Sequence, residues 1–204
     1  MNDKIPWVEK YRPKDFNKIV LEPINKLLLT NIIKKNHFPN LLFYGPPGTG
    51  KTTTIINLIN RYNKNNNISQ SGLTIHLNAS DDRGIDIIRN QINQFVNTKS
   101  LFKTGIKFVI LDEIDYMTKN AQQALKYLIQ QYSNNVRFCL ICNYISRIDL
   151  SLQDEFIKLK FCQLPKEDIN YFLKNIIKKE KIIIKKDQLM AIQTMIGSDI
   201  RSMI

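Results

Sequence analysis

Short apolar runs alternate along the chain with longer stretches whose apolar positions recur every three to four residues. The runs at 41–44, 73–77, 107–111, 136–142 and 157–161 predict strands. The stretches 51–61, 85–96 and 120–132 predict helices between them. Strand alternating with helix implies an α/β fold, with a mainly parallel five-stranded sheet covered on both faces. Asn63 to Asn67, with Ser69, Ser71 and Gly72 close behind, reads as a surface loop. After Pro165 the pattern changes: 166–181 and 186–196 are helical with no strand between them. This places a domain boundary near Leu164, dividing the chain into 1–164 and 165–204. A further helix is expected to open at Asp199 and to be cut short at Ile204.

Composition changes this picture little. Thirty Lys plus Arg against eighteen Asp plus Glu leave a net charge of +12, which suits a polyanionic partner. The excess is mostly Lys in a chain dominated by Lys, Ile and Asn, a bias that an A+T-rich gene also produces, so the charge carries little weight. No apolar run approaches the ~20 residues needed to span a bilayer, and Met1 to Lys10 lacks the apolar stretch of a secretory signal. Three cysteines are too few for a disulfide framework. An intracellular, soluble protein is expected, with no membrane partner. Cys139 and Cys142 form a C-x-x-C inside an apolar strand; zinc wants four ligands, and His37 and His76 are distant in sequence, so buried core cysteines are expected. The lysines around Ile182 to Ile184 read as a solvated helix end.

Two segments carry chemistry. Gly45-Pro46-Pro47-Gly48-Thr49-Gly50-Lys51-Thr52 fits G-x-x-x-x-G-K-[ST] and stands between an apolar strand and an apolar helix. Glycines let the backbone wrap so that its N–H groups face phosphate oxygens, and the helix N-terminus adds partial positive charge. Lys51 is expected on the β- and γ-phosphates and Thr52 on Mg²⁺, with Thr53 beside them. The strand 107–111 runs into Asp112-Glu113. Next to a phosphate loop, Asp112 is expected to hold Mg²⁺, directly or through water, and Glu113 to polarise the attacking water.

These segments, with others, resemble the small subunits of the clamp loader, the replication factor C family of AAA+ ATPases. The resemblance is carried by Trp7-Val8-Glu9-Lys10-Tyr11-Arg12-Pro13, by Leu42 to Thr52, and by Asn78-Ala79-Ser80-Asp81-Asp82-Arg83-Gly84-Ile85. It continues through Leu111-Asp112-Glu113-Ile114-Asp115, Met117-Thr118, Ala121 to Leu125, Cys142-Asn143-Tyr144 and Ser198-Asp199-Ile200-Arg201. It implies an ATP-binding α/β domain and part of a helical lid, with ATP or ADP and Mg²⁺ between them. It implies that Asn143 senses the γ-phosphate or the water and that Arg201 closes on the phosphates from the lid. Tyr11, Arg12 and Pro13 would fold over the adenine. The implied partners are other loader subunits in a hetero-oligomer, a sliding clamp and primer–template DNA, in the nucleus or another site of replication.

Arg83 and Arg89 would track the DNA backbone, or else form a merely solvated helix face. Leu101 and Phe102 would enter a pocket of the clamp, or else tuck under their own domain. The family's small subunits usually carry Ser-Arg-Cys before the last strand, the Arg being a finger for the neighbour's ATP site; here that position is Glu155. Lys126-Tyr127 stands where the family has two arginines, and the family's third, collar domain is not expected within these 204 residues, which reads either as a shortened chain or as a divergent protein. Two other readings therefore stay open: a nucleotide-binding scaffold without effective hydrolysis, and another AAA+ DNA-remodelling ATPase.

Overall fold

A computed structural model of the chain describes residues 5–67, 73–80, 84–98, 105–184, 186–196 and 199–203. Five strands form one fully parallel sheet: β1 (Leu41–Tyr44), β2 (Thr74–Asn78), β3 (Lys107–Asp112), β4 (Val136–Cys142) and β5 (Ile157–Lys160). Their spatial order is β2-β3-β4-β1-β5. Side chains alternate between faces along a strand, and in β1 both faces are apolar. Leu41 and Phe43 enter one core with α2 (Pro23–Lys35) and α3 (Lys51–Asn65). Leu42 enters the other, with α4 (Gly84–Asn97), α5 (Lys119–Tyr132) and α6 (Leu150–Gln153). On the first face Phe38 meets Phe108 edge-on at 4.8 Å between ring centroids. Each such fully buried side chain stabilises by about 1.5–3 kcal/mol.

Local chemistry marks the element ends. Thr118 caps α5 by accepting the Ala121 N–H. Pro23 opens α2, and Asn36 closes it in the left-handed region. The strand and helix boundaries expected from periodicity hold to within a few residues, with three differences. Helix α2 carries no clean apolar stripe: Leu29 is fully buried, whereas Ile24 and Leu27 of the same helix are exposed. Helix α3 runs four residues beyond Arg61, so the Asn-rich stretch begins inside a helix. Asn63 is buried rather than part of a surface loop, because the helical period turns it toward the sheet. Third, α1 (Trp7–Lys10) forms a single helical turn at the N-terminal end of the described chain.

Beyond β5 the chain is helical: α7 (Lys166–Glu180), α8 (Lys186–Ile196) and α9 (Ile200–Met203). Ile169, Leu173 and Leu189 form a small core of their own, with Leu164 and Met203 packed against it. No described helix is long and apolar enough to cross a membrane. Cys139 and Cys142 are free, buried core residues. Burial pushes the Cys142 thiol up to about 12 and that of Cys139 higher still. In open parallel sheets the crevice at the carboxyl ends of the strands is where ligands bind. Here that edge gathers the loops after β1, β3 and β4.

Candidate active site

The loop after β1 is shaped by what surrounds it. At Gly45 a Cβ would land on the Phe161 backbone carbonyl, and at Gly48 it would overlap the Asp199 carboxylate; both have positive φ. Only glycine fits either place. At Gly50 the space a side chain would take is open, with nothing within 4 Å. The turn is tied internally by Thr49 Oγ1, which donates to the Pro46 carbonyl at 2.9 Å, while Pro47 stays exposed.

Lys51, at the first turn of α3, is buried and points back into the loop. Its Nζ donates to the carbonyls of Gly45 (2.7 Å) and Pro46 (2.8 Å) and to Asn143 Oδ1 (2.9 Å). The side-chain amide predicted to sense phosphate thus meets the predicted phosphate lysine from 92 residues away. Burial pulls the Lys51 ammonium below its usual value, and Arg201 pulls the same way; Asp112 and Asp115 oppose them. Arg201 is therefore close enough to act on the site electrostatically, although its own side chain is exposed.

Thr52 Oγ1 donates to Asp112 Oδ2 at 2.7 Å, and the Glu113 N–H donates to Asp112 Oδ1 at 2.9 Å. Burial would raise the Asp112 pKa, but His76, Thr52 and the Glu113 N–H together hold it below the usual carboxylate value. An ionised carboxylate joined to a threonine hydroxyl beside a phosphate loop is a donor set that suits Mg²⁺. Glu113 adopts a left-handed backbone (φ 57°) at the end of β3, a conformation uncommon for a non-glycine residue and frequent at functional sites. Below it, the buried Asp115 accepts the Asn143 and Tyr144 N–H groups through Oδ2, both at 3.3 Å. That fixes the turn presenting Asn143.

A cavity of about 410 Å³ opens beside these groups, with Gly48, Thr49, Gly50, Thr52, Thr53 and Asp112 on one side. Val8, Tyr11, Arg12, Pro13, Ile19 and Val20 form a second wall. This N-terminal segment is anchored to α3: Arg12 Nε donates to Thr53 Oγ1 at 3.0 Å, and Asn57 Nδ2 donates to the Pro13 carbonyl at 2.9 Å. Leu164, Asp168, Phe172 and Arg201 close the third side. The N-terminal segment also bridges to α7, where Lys10 Nζ and Tyr11 Oη both reach Glu180 Oε1 at 2.5 Å.

Sequence matching places the same region in a known family. Residues 41–164 match the family described as "ATPase family associated with various cellular activities (AAA)". The chain belongs to the AAA family of ATPases. It is also similar, over 97–98% of its length, to replication factor C subunits. Identity is 42% with human "Replication factor C subunit 5", 42% with "Replication factor C subunit 3" of Schizosaccharomyces pombe and 40% with that of Saccharomyces cerevisiae. It spans 57–58% of the length of those relatives. Among solved structures, the Aeropyrum pernix ORC1 protein in complex with DNA shares the fold at TM-score 0.67 and 17% identity, over 95% of this chain and 60% of that one. RuvB of Thermotoga maritima does so at TM-score 0.67 and 14% identity, over 93% and 68%.

The structure brings Lys51, Thr52, Asp112 and Asn143 of the matched region together with Arg201 beyond it, and sets Tyr11, Arg12 and Pro13 along the cavity. Arg89 is exposed on α4, away from these contacts. Arg83, Leu101 and Phe102 lie outside the described residues. Glu155 sits in the turn before β5, where its Oε1 accepts from Gln130 Nε2 at 2.7 Å. Three residues escaped the sequence reading. His76 stands beside Asp112, with 3.8 Å between Nε2 and Oδ2. Asp115 holds the Asn143 turn. Gln122 is buried and ties α5 to the loop after β4. For His76 the available signal was its strand period, two positions before Asn78 and on the same face.

Proposed function

We propose that this chain is an ATP-binding and ATP-hydrolysing subunit of a clamp loader, which opens a sliding clamp and places it on primed DNA. The observation that supports this most is the meeting of Lys51 with Asn143 and of Thr52 with Asp112, in a chain similar to replication factor C subunits almost throughout. In this reading the loop Gly45 to Thr52 wraps the phosphates. Lys51 exchanges its loop carbonyls for β- and γ-phosphate oxygens, and Asn143 keeps its hold on the same cluster. Thr52 and Asp112 hold Mg²⁺, which neutralises phosphate charge and screens it from the attacking water. Glu113 takes the proton of that water. Tyr11, Arg12 and Pro13 enclose the adenine. Residues 165–204 act as a lid, bringing Arg201 onto the phosphates.

Arg83 and Arg89 would contact DNA phosphates, which supplies affinity without reading sequence. Leu101 and Phe102 would enter the clamp. The partners are other loader subunits, the clamp and primer–template DNA, at a site of replication such as the nucleus. Glu155 favours one qualification: no carboxylate can act as an arginine finger, so this subunit receives a finger and gives none. Lys51→Ala should abolish binding of a fluorescent ATP analogue. Glu113→Gln should keep binding and block single-turnover hydrolysis in the assembled complex. Unchanged binding in the first variant, or undiminished hydrolysis in the second, refutes the assignment.

A further inference from the structure

We propose that His76 is a metal-directed side chain of the nucleotide site, so that the site takes a nucleotide complex of a first-row transition ion such as Co²⁺, or Mn²⁺ as its spectroscopic stand-in, with an imidazole nitrogen as one ligand. This deepens the Mg²⁺–ATP reading and rests on it. His76 and Asn78 lie on the same face of β2, and Asn78 pairs with Asp112 across the sheet. His76 therefore borders the same cavity as Thr52 and Asp112. Its Nε2 is 3.8 Å from Asp112 Oδ2, beyond hydrogen-bond length. Two donors that share one ion, each about 2.0–2.2 Å from it, stand roughly 3.0 Å apart in a cis octahedral arrangement and roughly 3.5 Å apart in a tetrahedral one. A movement of the imidazole by a few tenths of an ångström toward Asp112 brings the two within reach of one ion. Asp112 Oδ2 already engages Thr52 Oγ1, so oxygen, hydroxyl and imidazole converge on one spot at the mouth of the phosphate loop.

The protein offers too few donors to hold an ion unaided. Among the described residues no group of three His, Cys, Asp or Glu side chains would do so. Nucleotide phosphates must complete the shell, and the ion should bind only with nucleotide. Mg²⁺ prefers an all-oxygen octahedron and gains little from imidazole, whereas the later divalent ions gain progressively more. His76 thus sets ion preference rather than the capacity to bind nucleotide.

The test uses the full chain, ADP and Mn²⁺ at about pH 8. Bound Mn²⁺ is followed by electron paramagnetic resonance, and electron spin-echo modulation reads any directly bound ¹⁴N. The wild type should bind Mn²⁺ only with ADP present and show imidazole nitrogen coupling. His76→Gln should lose the coupling, and its ratio of Mn²⁺ to Mg²⁺ affinity should fall about tenfold, the lower end of what changed metal surroundings cost. Mn²⁺–ADP bound without nitrogen coupling, or an unchanged ion ratio in His76→Gln, overturns the proposal and leaves the nucleotide site standing. Wild type that binds ADP no better than Lys51→Ala with either ion overturns both.

Discussion

Replacing Gln122 with leucine should destabilise the protein far more than a change of one polar side chain to an apolar one of similar size. Gln122 is 1% exposed. Its Nε2 donates to the carbonyls of Met117 and Arg147, both at 3.1 Å, and its Oε1 accepts the Asp149 N–H at 2.7 Å. Leucine fills nearly the same volume, so the cavity cost is small. Three backbone groups lose their partner, however, and a buried polar group left unpaired costs about 1–3 kcal/mol. Arg147 is exposed and Asp149 half-buried, so water can relieve part of that loss. A net loss of about 3 kcal/mol follows, a large share of the 5–15 kcal/mol typical of a domain. For a chain of this size each kcal/mol lowers Tm by about 2–4 °C, which predicts a fall of about 6–12 °C. Thermal unfolding followed by circular dichroism measures it. Gln122→Glu keeps an acceptor for Asp149 but sets a carboxylate oxygen against two carbonyls, and should be no better. A fall of less than about 2 °C in Gln122→Leu would refute the bridging role.

Gly48→Ala should lower Tm more than Gly50→Ala. Both positions have positive φ, where a Cβ costs about 1–2 kcal/mol, but only at Gly48 does the new methyl meet the Asp199 carboxylate; equal losses in thermal melts contradict this. The Lys10–Tyr11–Glu180 bridge should depend on pH. The hydrogen bonds from Lys10 and then Tyr11 hold the Glu180 carboxyl below its usual value. Its contribution is complete above the ordinary carboxylate pKa and is lost as pH falls through the depressed one. Glu180→Gln should therefore speed amide exchange in residues 7–12 at neutral pH, and wild type should match it once pH has fallen through the depressed Glu180 value; identical exchange at neutral pH counts against the bridge. In a reconstituted hetero-oligomer, Glu155→Arg should raise ATP turnover in any working site that it faces, and unchanged turnover shows that it faces none.

The parts of this protein legible before folding are those governed by neighbours in the chain. Gly45 to Thr52 reads as a phosphate loop because glycine freedom, a lysine and a helix start must follow one another closely. The apolar run ending in Asp112-Glu113 reads as a strand delivering acids for the same reason. The parallel sheet follows from strands separated by helices, since parallel pairing requires long crossovers. Helix α2 was not legible, because three successive leucines give no helical stripe and only packing buries Leu29 while leaving Leu27 exposed. Asn63 was misread because composition is blind to which way a helix turns. The strand order β2-β3-β4-β1-β5 is set by the side-by-side fit of whole layers. That order alone carries Asn143 onto Lys51, lays β2 against β3 so that His76 borders Asp112, and brings Gln122 against the Arg147 carbonyl. Contacts over such distances in sequence obey no local period; they arise when burying both faces of the sheet leaves one arrangement for the loops at its carboxyl edge.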